Sequence, residues 1–329
     1  NNRRKLIVAL GAGALLSPLS SLAQQQGKVW RIGFLSVRPP PRSPASDVFR
    51  GFTQAMRELG YVEGKNLVIE WRFADGKYDR LASLAAELVR MKVDIIVTAG
   101  TVANGAAQKA TATIPIVGAT MIDPVGNGFA ASLTRPGGNI TGLALTTTDA
   151  SPKQFELLKL VAPKLTRLGV LVNFGNPAHP AILKSIEAQA QKLGIKVQPL
   201  DARNADAIER NFSIMKRDRA EAVLVVVDAF FISQRKEIAE LALKNRLPSQ
   251  FSAHEHTEAG GLLSYAQNLE DFYRRAAPYV DKILKGAKPG DLPIEQPTTF
   301  ELHINRKTAK ALGLAIPQEL VLRANKVIE

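Results

Sequence analysis

The stretch VDIIVTAGTVANGAAQKATATIPIVGATMIDPVGNGFAASLTRPGGNITG, residues 93–142, decides how the rest of the chain is read. It opens with an apolar, β-branched run, Val93 to Val97, that ends in Thr98, Gly100 and Thr101 just before a helical segment. A second run, Ile114 to Val117, ends in a polar turn holding Thr120, Asp123 and Pro124. Short β-branched runs bounded by turn residues read as parallel strands buried on both faces. In open α/β sheets of that kind, ligands sit outside the carboxyl ends of the strands. The stretch therefore points to a small-molecule site.

Strand and helix alternate on both sides of it. Val29 to Leu35 reads as a strand ending at Ser36, and a proline-rich loop follows it. A helix from Asp47 to Leu59 stops at Gly60, then come a strand, Leu67 to Trp71, and a helix, Tyr78 to Met91. The rhythm restarts with a strand from Leu168 to Val172 ending at Asn173, a helix from Pro180 to Leu193 closed by Gly194, and a strand from Ile195 to Pro199. A helix over 205–216 leads to the apolar run Ala222 to Val227, which ends at Asp228, and to a helix over 233–245 and a short strand at 248–252. Such alternation implies right-handed βαβ crossovers. Two half-chains with the same order of elements predict two similar lobes. The remaining third, with strands near 260–265 and 293–305 and helices over 271–285 and 308–312, is too small for a third domain and reads as chain passing between the lobes.

The chain begins NNRRKLIVALGAGALLSPLSSLA, with a basic start, an apolar centre from Leu6 to Leu16 and a small-x-small site at Ser21–Ala23. That layout is a secretory signal with cleavage after Ala23, and its centre is too short to span a bilayer. The formal charge is +13, of which three positive charges lie in this segment. The remaining Lys and Arg are interleaved with Asp and Glu, and no basic run is flanked by stacking aromatics, so the surplus reads as a solvated basic surface rather than a nucleic-acid footprint. Cysteine is absent, which removes disulfides, thiolate metal sites and thiol nucleophiles together. No GxSxG, GxxxxGK[ST] or HExxH occurs either.

Three segments, TIPIVGATMIDPVGNGFAASLTRPGGNITG, YVEGKNLVIEWRFADG and the run from GGLLSYAQ at Gly260 to LGLAIP at Pro317, resemble the substrate-binding components of ABC uptake transporters, in the branch associated with tryptophan and tyrosine. The resemblance covers the chain after the signal, and the DPV…RPGGN and ILKGAKPGDLP motifs carry most of it. It implies an α/β, type I periplasmic binding fold: two Rossmann-like lobes with parallel sheets, joined by three crossovers, closing on a ligand. The expected division is residues 28–142 plus 262–294 for the first lobe and 143–258 plus 298–329 for the second. Hinges are expected at Gly142–Thr146, Gly260–Ser264 and Pro293–Pro297.

Strand ends facing such a cleft bring together Ser36, Thr98, Thr101, Thr120 and Asp123 from the first lobe and Asn173, Asn176, Asp228 and Ser252 from the second, with Tyr265 beside them. Thr101 starts a helix, so its hydroxyl and the N–H groups after it suit a carboxylate, or it is an ordinary N-cap. Asp228 follows an apolar strand and needs a partner out of water, which a ligand ammonium or a neighbouring base such as Arg235 would supply. Phe230 and Phe231 form an apolar wall or belong to the next helix. His254-Glu255-His256 offers zinc-type donors but no third ligand, and reads as the polar edge of the cleft. The expectation is a binding protein with no reaction, cofactor or metal, monomeric, working with ABC permease subunits. An exported enzyme on the same architecture, or a sensor for a membrane kinase or chemoreceptor, are the alternatives.

Overall fold

The computed structural model describes residues 28–41 and 48–329, and the expected signal segment lies outside them. Its elements, in order, are β1 (Trp30–Ser36), α1 (Arg50–Glu58), β2 (Leu67–Phe73), a 3₁₀ turn (Tyr78–Arg80), α2 (Leu81–Arg90), β3 (Ile95–Ala99), α3 (Thr101–Ala110), β4 (Ile116–Ile122) and β5 (Ile140–Leu145). Next come α4 (Thr147–Val161), β6 (Arg167–Val172), α5 (His179–Lys192), β7 (Lys196–Asp201), α6 (Ala205–Arg217), β8 (Ala222–Val225), α7 (Ala229–Ser233), α8 (Arg235–Lys244), β9 (Ser249–Phe251) and α9 (His254–Glu258). The last third holds β10 (Leu263–Ala266), α10 (Leu269–Leu284), β11 (Glu301–Asn305), α11 (Arg306–Leu312), α12 (Gln318–Arg323) and β12 (Lys326–Ile328).

Two sheets form, one of five strands in the order β2-β1-β3-β4-β5 and one of seven in the order β12-β11-β10-β9-β8-β6-β7. In β3 the pleat sends Ile95 and Val97 to one apolar layer, with Phe52 and Met56 of α1 and Phe272 of α10, and Ile96 to the other, with Leu84 and Leu88 of α2 and Ala103 of α3. All five residues of β3 are buried, which is why its run carries no polar alternation. Each such aliphatic side chain taken fully from water contributes about 1.5–3 kcal/mol. Along β4 and β5 the backbones pack so closely that Gly142 has no room for a side chain. A Cβ there would meet the Gly118 carbonyl, and φ of 132° is one that L-residues rarely adopt.

The two sheets are less alike than the sequence indicated. The strand Leu263–Ala266, expected in the first lobe, pairs with β9 and β11 in the seven-stranded sheet, and the chain returns to the first lobe with α10, packed on α1, β4 and β5, and the segment that follows it to Glu295. The second crossover therefore lies at Gln267–Asn268, beyond the expected Gly260–Ser264. The third also falls later, because Ala144 and Glu295 still bond within the first lobe while β11 starts at Glu301. Coming back across the gap, β11 enters its sheet at the cleft end, with Glu301 beside Ala266, and therefore pairs antiparallel with β10, an exception to the parallel pattern. Gln267 ties the three crossovers together, since its Oε1 accepts from the Thr146 N–H and its Nε2 donates to the Pro297 carbonyl.

Candidate functional site

The carboxyl ends of β1, β3 and β4 in one sheet and of β6 and β8 in the other open toward the same cavity, as the parallel direction of each set requires. Asp228 stands at its centre, 2% exposed. Two residues of the second lobe reach it, Asn176 Nδ2 at 2.9 Å from Oδ2 and Asn173 Nδ2 at 3.4 Å from Oδ1. The Phe230 N–H donates to Oδ1 at 3.0 Å, making Asp228 the N-cap of α7. From the other lobe the Tyr78 hydroxyl donates to Oδ2 at 2.6 Å. Burial, and then the Asp228 charge, hold the Tyr78 phenol well above its usual range, so it stays a proton donor.

His179 lies behind the carboxylate, with Nε2 3.4 Å from Oδ2. Its Nδ1 accepts from the Asn173 N–H at 2.8 Å, so the ring proton is on Nε2, facing the Val227 carbonyl at 3.2 Å. Burial lowers the pKa of this imidazole against the opposing pull of Asp228, and the ring is neutral. The donors that Asp228 receives from the described residues are thus all neutral. It is a buried anion that is hydrogen-bonded but has no cationic partner among them, and Arg235, the alternative raised by the sequence, gives its Nη1 to the Ile232 carbonyl instead.

Across the cavity α3 begins at Gly100, whose φ of 101° and lack of a side chain leave the helix end uncapped by any side-chain oxygen. The first helical bond is from Asn104 N–H to the Gly100 carbonyl, so the N–H groups of Thr101, Val102 and Ala103 precede the ladder. Thr101 Oγ1 accepts from the Ile122 N–H at 3.0 Å, which fixes this end against β4.

Of the residues expected at the site, Thr101, Thr120, Asn176 and Asp228 line this cavity. Asn173 contributes through Asp228. Ser252 and Tyr265 line a smaller compartment at the crossovers, which shares Leu145, Val227 and Leu269 with the main one. Three others are not among the residues that line the main cavity. Thr98 is turned inward and donates to Asn104 Oδ1 at 2.9 Å with both residues fully buried. Ser36 is also buried and accepts the Arg38 N–H at 3.1 Å. Asp123 is an exposed turn residue with φ of 42°, and its carboxylate accepts from the Gly126 N–H. A strand end is a position, but which alternate side chains face the cleft is set by the pleat.

Three lining residues were not found from sequence. Arg38 was read only as part of a proline-rich loop, though a base two residues beyond a strand end was a usable signal. Its side chain is 11% exposed, its Nη2 lies 3.1 Å from Glu255 Oε1 on the opposite lobe, and its Nη1 is buried with no partner among the described residues. Burial works against the guanidinium charge, but Glu255 and Tyr273 outweigh it and keep the pKa raised. Glu255, pushed up by burial, is held low overall by Arg38. Tyr78 and Tyr273 looked like ordinary helix positions. The histidines of 254–256 diverge: His256 stacks on Phe251, whereas His254 stacks on His303, donates its Nε2–H to the Ala266 carbonyl and leaves Nδ1 to accept from the Ser264 hydroxyl, near Glu301.

Two Rossmann-like lobes joined by three crossovers, with a cavity at facing strand ends, define a type I periplasmic binding protein. The family model described as ABC transporter substrate binding protein matches residues 43–328, and the chain belongs to that family, one of substrate-binding proteins and not of enzymes. A protein of Clostridioides difficile (strain R20291) named "Tyrosine-binding protein" is 27% identical over 267 residues, 80% of this chain and 76% of its own. The structure of a domain from Streptococcus pneumoniae in complex with L-Trp is 26% identical, with a TM-score of 0.84 over 91% of this chain and 99% of that one. The ligand-free, open structure of a substrate-binding protein with adhesive properties from Clostridium difficile, equally 26% identical over 91% of this chain and 99% of its own, gives 0.63. The better match to the liganded arrangement agrees with the contacts between lobes at Tyr78–Asp228 and Arg38–Glu255. The lobes stand closed.

Proposed function

We propose that this protein captures an α-amino acid between its lobes outside the cytoplasm and presents it, as a monomer, to the membrane subunits of an ABC importer. The observation that carries the reading is Asp228. A carboxylate 2% exposed, supplied only with neutral donors, facing a cavity, is a place for a ligand ammonium, because a desolvated charge is best matched by an opposite one. Opposite it, the uncapped start of α3 offers N–H groups and the positive end of a helix to a carboxylate. Tyr78, Tyr273 and the aliphatic lining leave an apolar middle for the side chain. The tyrosine and L-Trp in the names of the relatives support an aromatic one.

No reaction is required of these residues. Ligand bridging the lobes stabilises the closed form by its differential affinity for that form, and closure is what a permease reads. Among the described residues no helix is long and apolar enough to cross a membrane. Export rests on the basic, apolar and small-residue layout of residues 1–23. Protein recovered from the periplasmic fraction, with an intact mass starting at Gln24, should release an amino acid on denaturation, identified by mass spectrometry. Calorimetry that finds no binding by any proteinogenic amino acid would remove the reading.

A further inference from the structure

The geometry points to Arg38 as the carboxylate-binding residue of the cleft and as the link between ligand and closure: Nη1 takes an oxygen of the ligand carboxylate while Nη2 holds Glu255 of the opposite lobe. The inference rests on the amino-acid reading above and adds a residue to it.

Arg38 sits two residues beyond the end of β1, on the first lobe, and lines the same cavity as the α3 start and Asp228. A guanidinium presents its donors in a planar fork, so the two Nη atoms can serve two acceptors at once. One is occupied, since Nη2 lies 3.1 Å from Glu255 Oε1 at the start of α9. The other, Nη1, has no protein acceptor among the described residues although its surface is closed to solvent. Buried donors on a charged group are costly to leave unmade, and native structures rarely leave them so without an unseen partner. The Tyr273 hydroxyl also interacts with the guanidinium but does not complete Nη1, and both residues line the cavity, which is where a ligand would bring the missing acceptor. An anion fits there, because Glu255 already neutralises the guanidinium and the carboxylate gains a charge-assisted bond without meeting a lone positive charge out of water. One carboxylate has two oxygens, enough for both the α3 N–H groups and Arg38.

The same arrangement makes Arg38 a coupler. A ligand oxygen on Nη1 fixes the plane of the fork, and the plane fixes where Nη2 points. The ion pair across the lobes then forms best when the carboxylate is bound, which is a differential contact of the kind closure needs. An amine of the same shape but without the carboxylate fills the apolar middle and reaches Asp228, yet leaves Nη1 as it is in the empty cleft.

The test is calorimetry with L-tryptophan and with tryptamine, its decarboxylated amine, on the wild type, Arg38→Gln, and the double variant Arg38→Gln/Glu255→Gln, which leaves neither member of this pair unmatched should the single variant fold poorly. Tryptophan affinity should fall about ten- to a hundredfold in both variants, the range for a lost hydrogen bond to a charged group, while tryptamine affinity stays within about threefold. Small-angle scattering at saturating tryptophan should show less compaction in the variants than in the wild type. Equal losses for acid and amine, or no loss for either, overturn the role of Arg38 while leaving the amino-acid reading in place. A wild type that binds no member of a panel of proteinogenic amino acids overturns both.

Discussion

Exchanging Asp228 for asparagine removes one formal charge and little volume, and the structure says what else it disturbs. The remaining carbonyl oxygen can keep the Phe230 N–H at the start of α7, so the cap survives. The new NH₂ group takes the place of Oδ2, which now accepts from Asn176 Nδ2 at 2.9 Å and from the Tyr78 hydroxyl at 2.6 Å. Tyr78 can turn its hydroxyl to accept, but Asn176 faces donor against donor. One mismatched buried polar contact costs about 1–3 kcal/mol, visible as a lower urea midpoint without ligand. The effect on binding is separate. If an ammonium sits against this carboxylate, the variant leaves it buried and unpaired at about 2–5 kcal/mol, roughly thirty- to several-thousandfold in Kd. A deaminated analogue, such as indole-3-propionate beside tryptophan, brings no ammonium. It should bind Asp228→Asn as well as or better than it binds the wild type, because a like charge has gone. Calorimetry with both ligands on both proteins gives the four numbers. The same loss for the amino acid and its deaminated analogue would refute the pairing, and would mean that the damage lies in the frame of Tyr78, Asn173 and Asn176.

Three further outcomes follow from the geometry. Tyr78→Phe deletes a charge-assisted bond between lobes, worth about 1.5–3 kcal/mol, and should raise the radius of gyration of the unliganded protein in small-angle scattering; an unchanged radius would place the hold on closure elsewhere. Gly142→Ala must both adopt a φ of 132° and displace the Gly118 carbonyl, so a loss of about 2–4 kcal/mol in urea unfolding is expected, and a loss under 1 kcal/mol would show that β4 and β5 separate easily. All four histidines of the chain are held below their usual range by burial, His254 and His256 to about 4. The unfolded chain then takes up protons below pH ~6.5 that the folded chain refuses, so stability is full above that pH and falls toward pH 4 by up to about 1.4 kcal/mol per unit for each histidine. Urea midpoints that stay level between pH 6.5 and 4.5 would contradict this.

Much of the fold was legible because its signals are local. The β-branched runs ending in Thr98, Asn173 and Asp228 become β3, β6 and β8 because strands buried on both faces need unbroken apolar sequence. The helices that stop at Gly60 and Gly194 do so where glycine takes up φ of 91° and 67°. α4 escaped notice because Thr147 to Ser151 is polar and Pro152 sits inside the helix, although Phe155, Leu157 and Leu158 bury completely. Pro152, in the second turn, removes the N–H that would bond the Thr148 carbonyl, and that carbonyl accepts from the Ser185 hydroxyl at 3.4 Å instead.

The sequence by itself determined the two-lobe α/β frame, the end of each sheet at which the cavity lies, and Asp228 as the residue to watch, since a parallel strand carries its direction and its end in its own residues. Only the tertiary structure decided that Thr101 faces the cleft and Thr98 does not, that Leu263–Ala266 belongs to the seven-stranded sheet, and that Arg38 and Tyr78 complete the site. Those outcomes depend on the pleat register and on partners far along the chain, 217 residues away for Arg38–Glu255 and 150 for Tyr78–Asp228. A side chain whose role is a contact between lobes leaves no periodicity in its own neighbourhood, because the force that places it comes from the other half of the molecule.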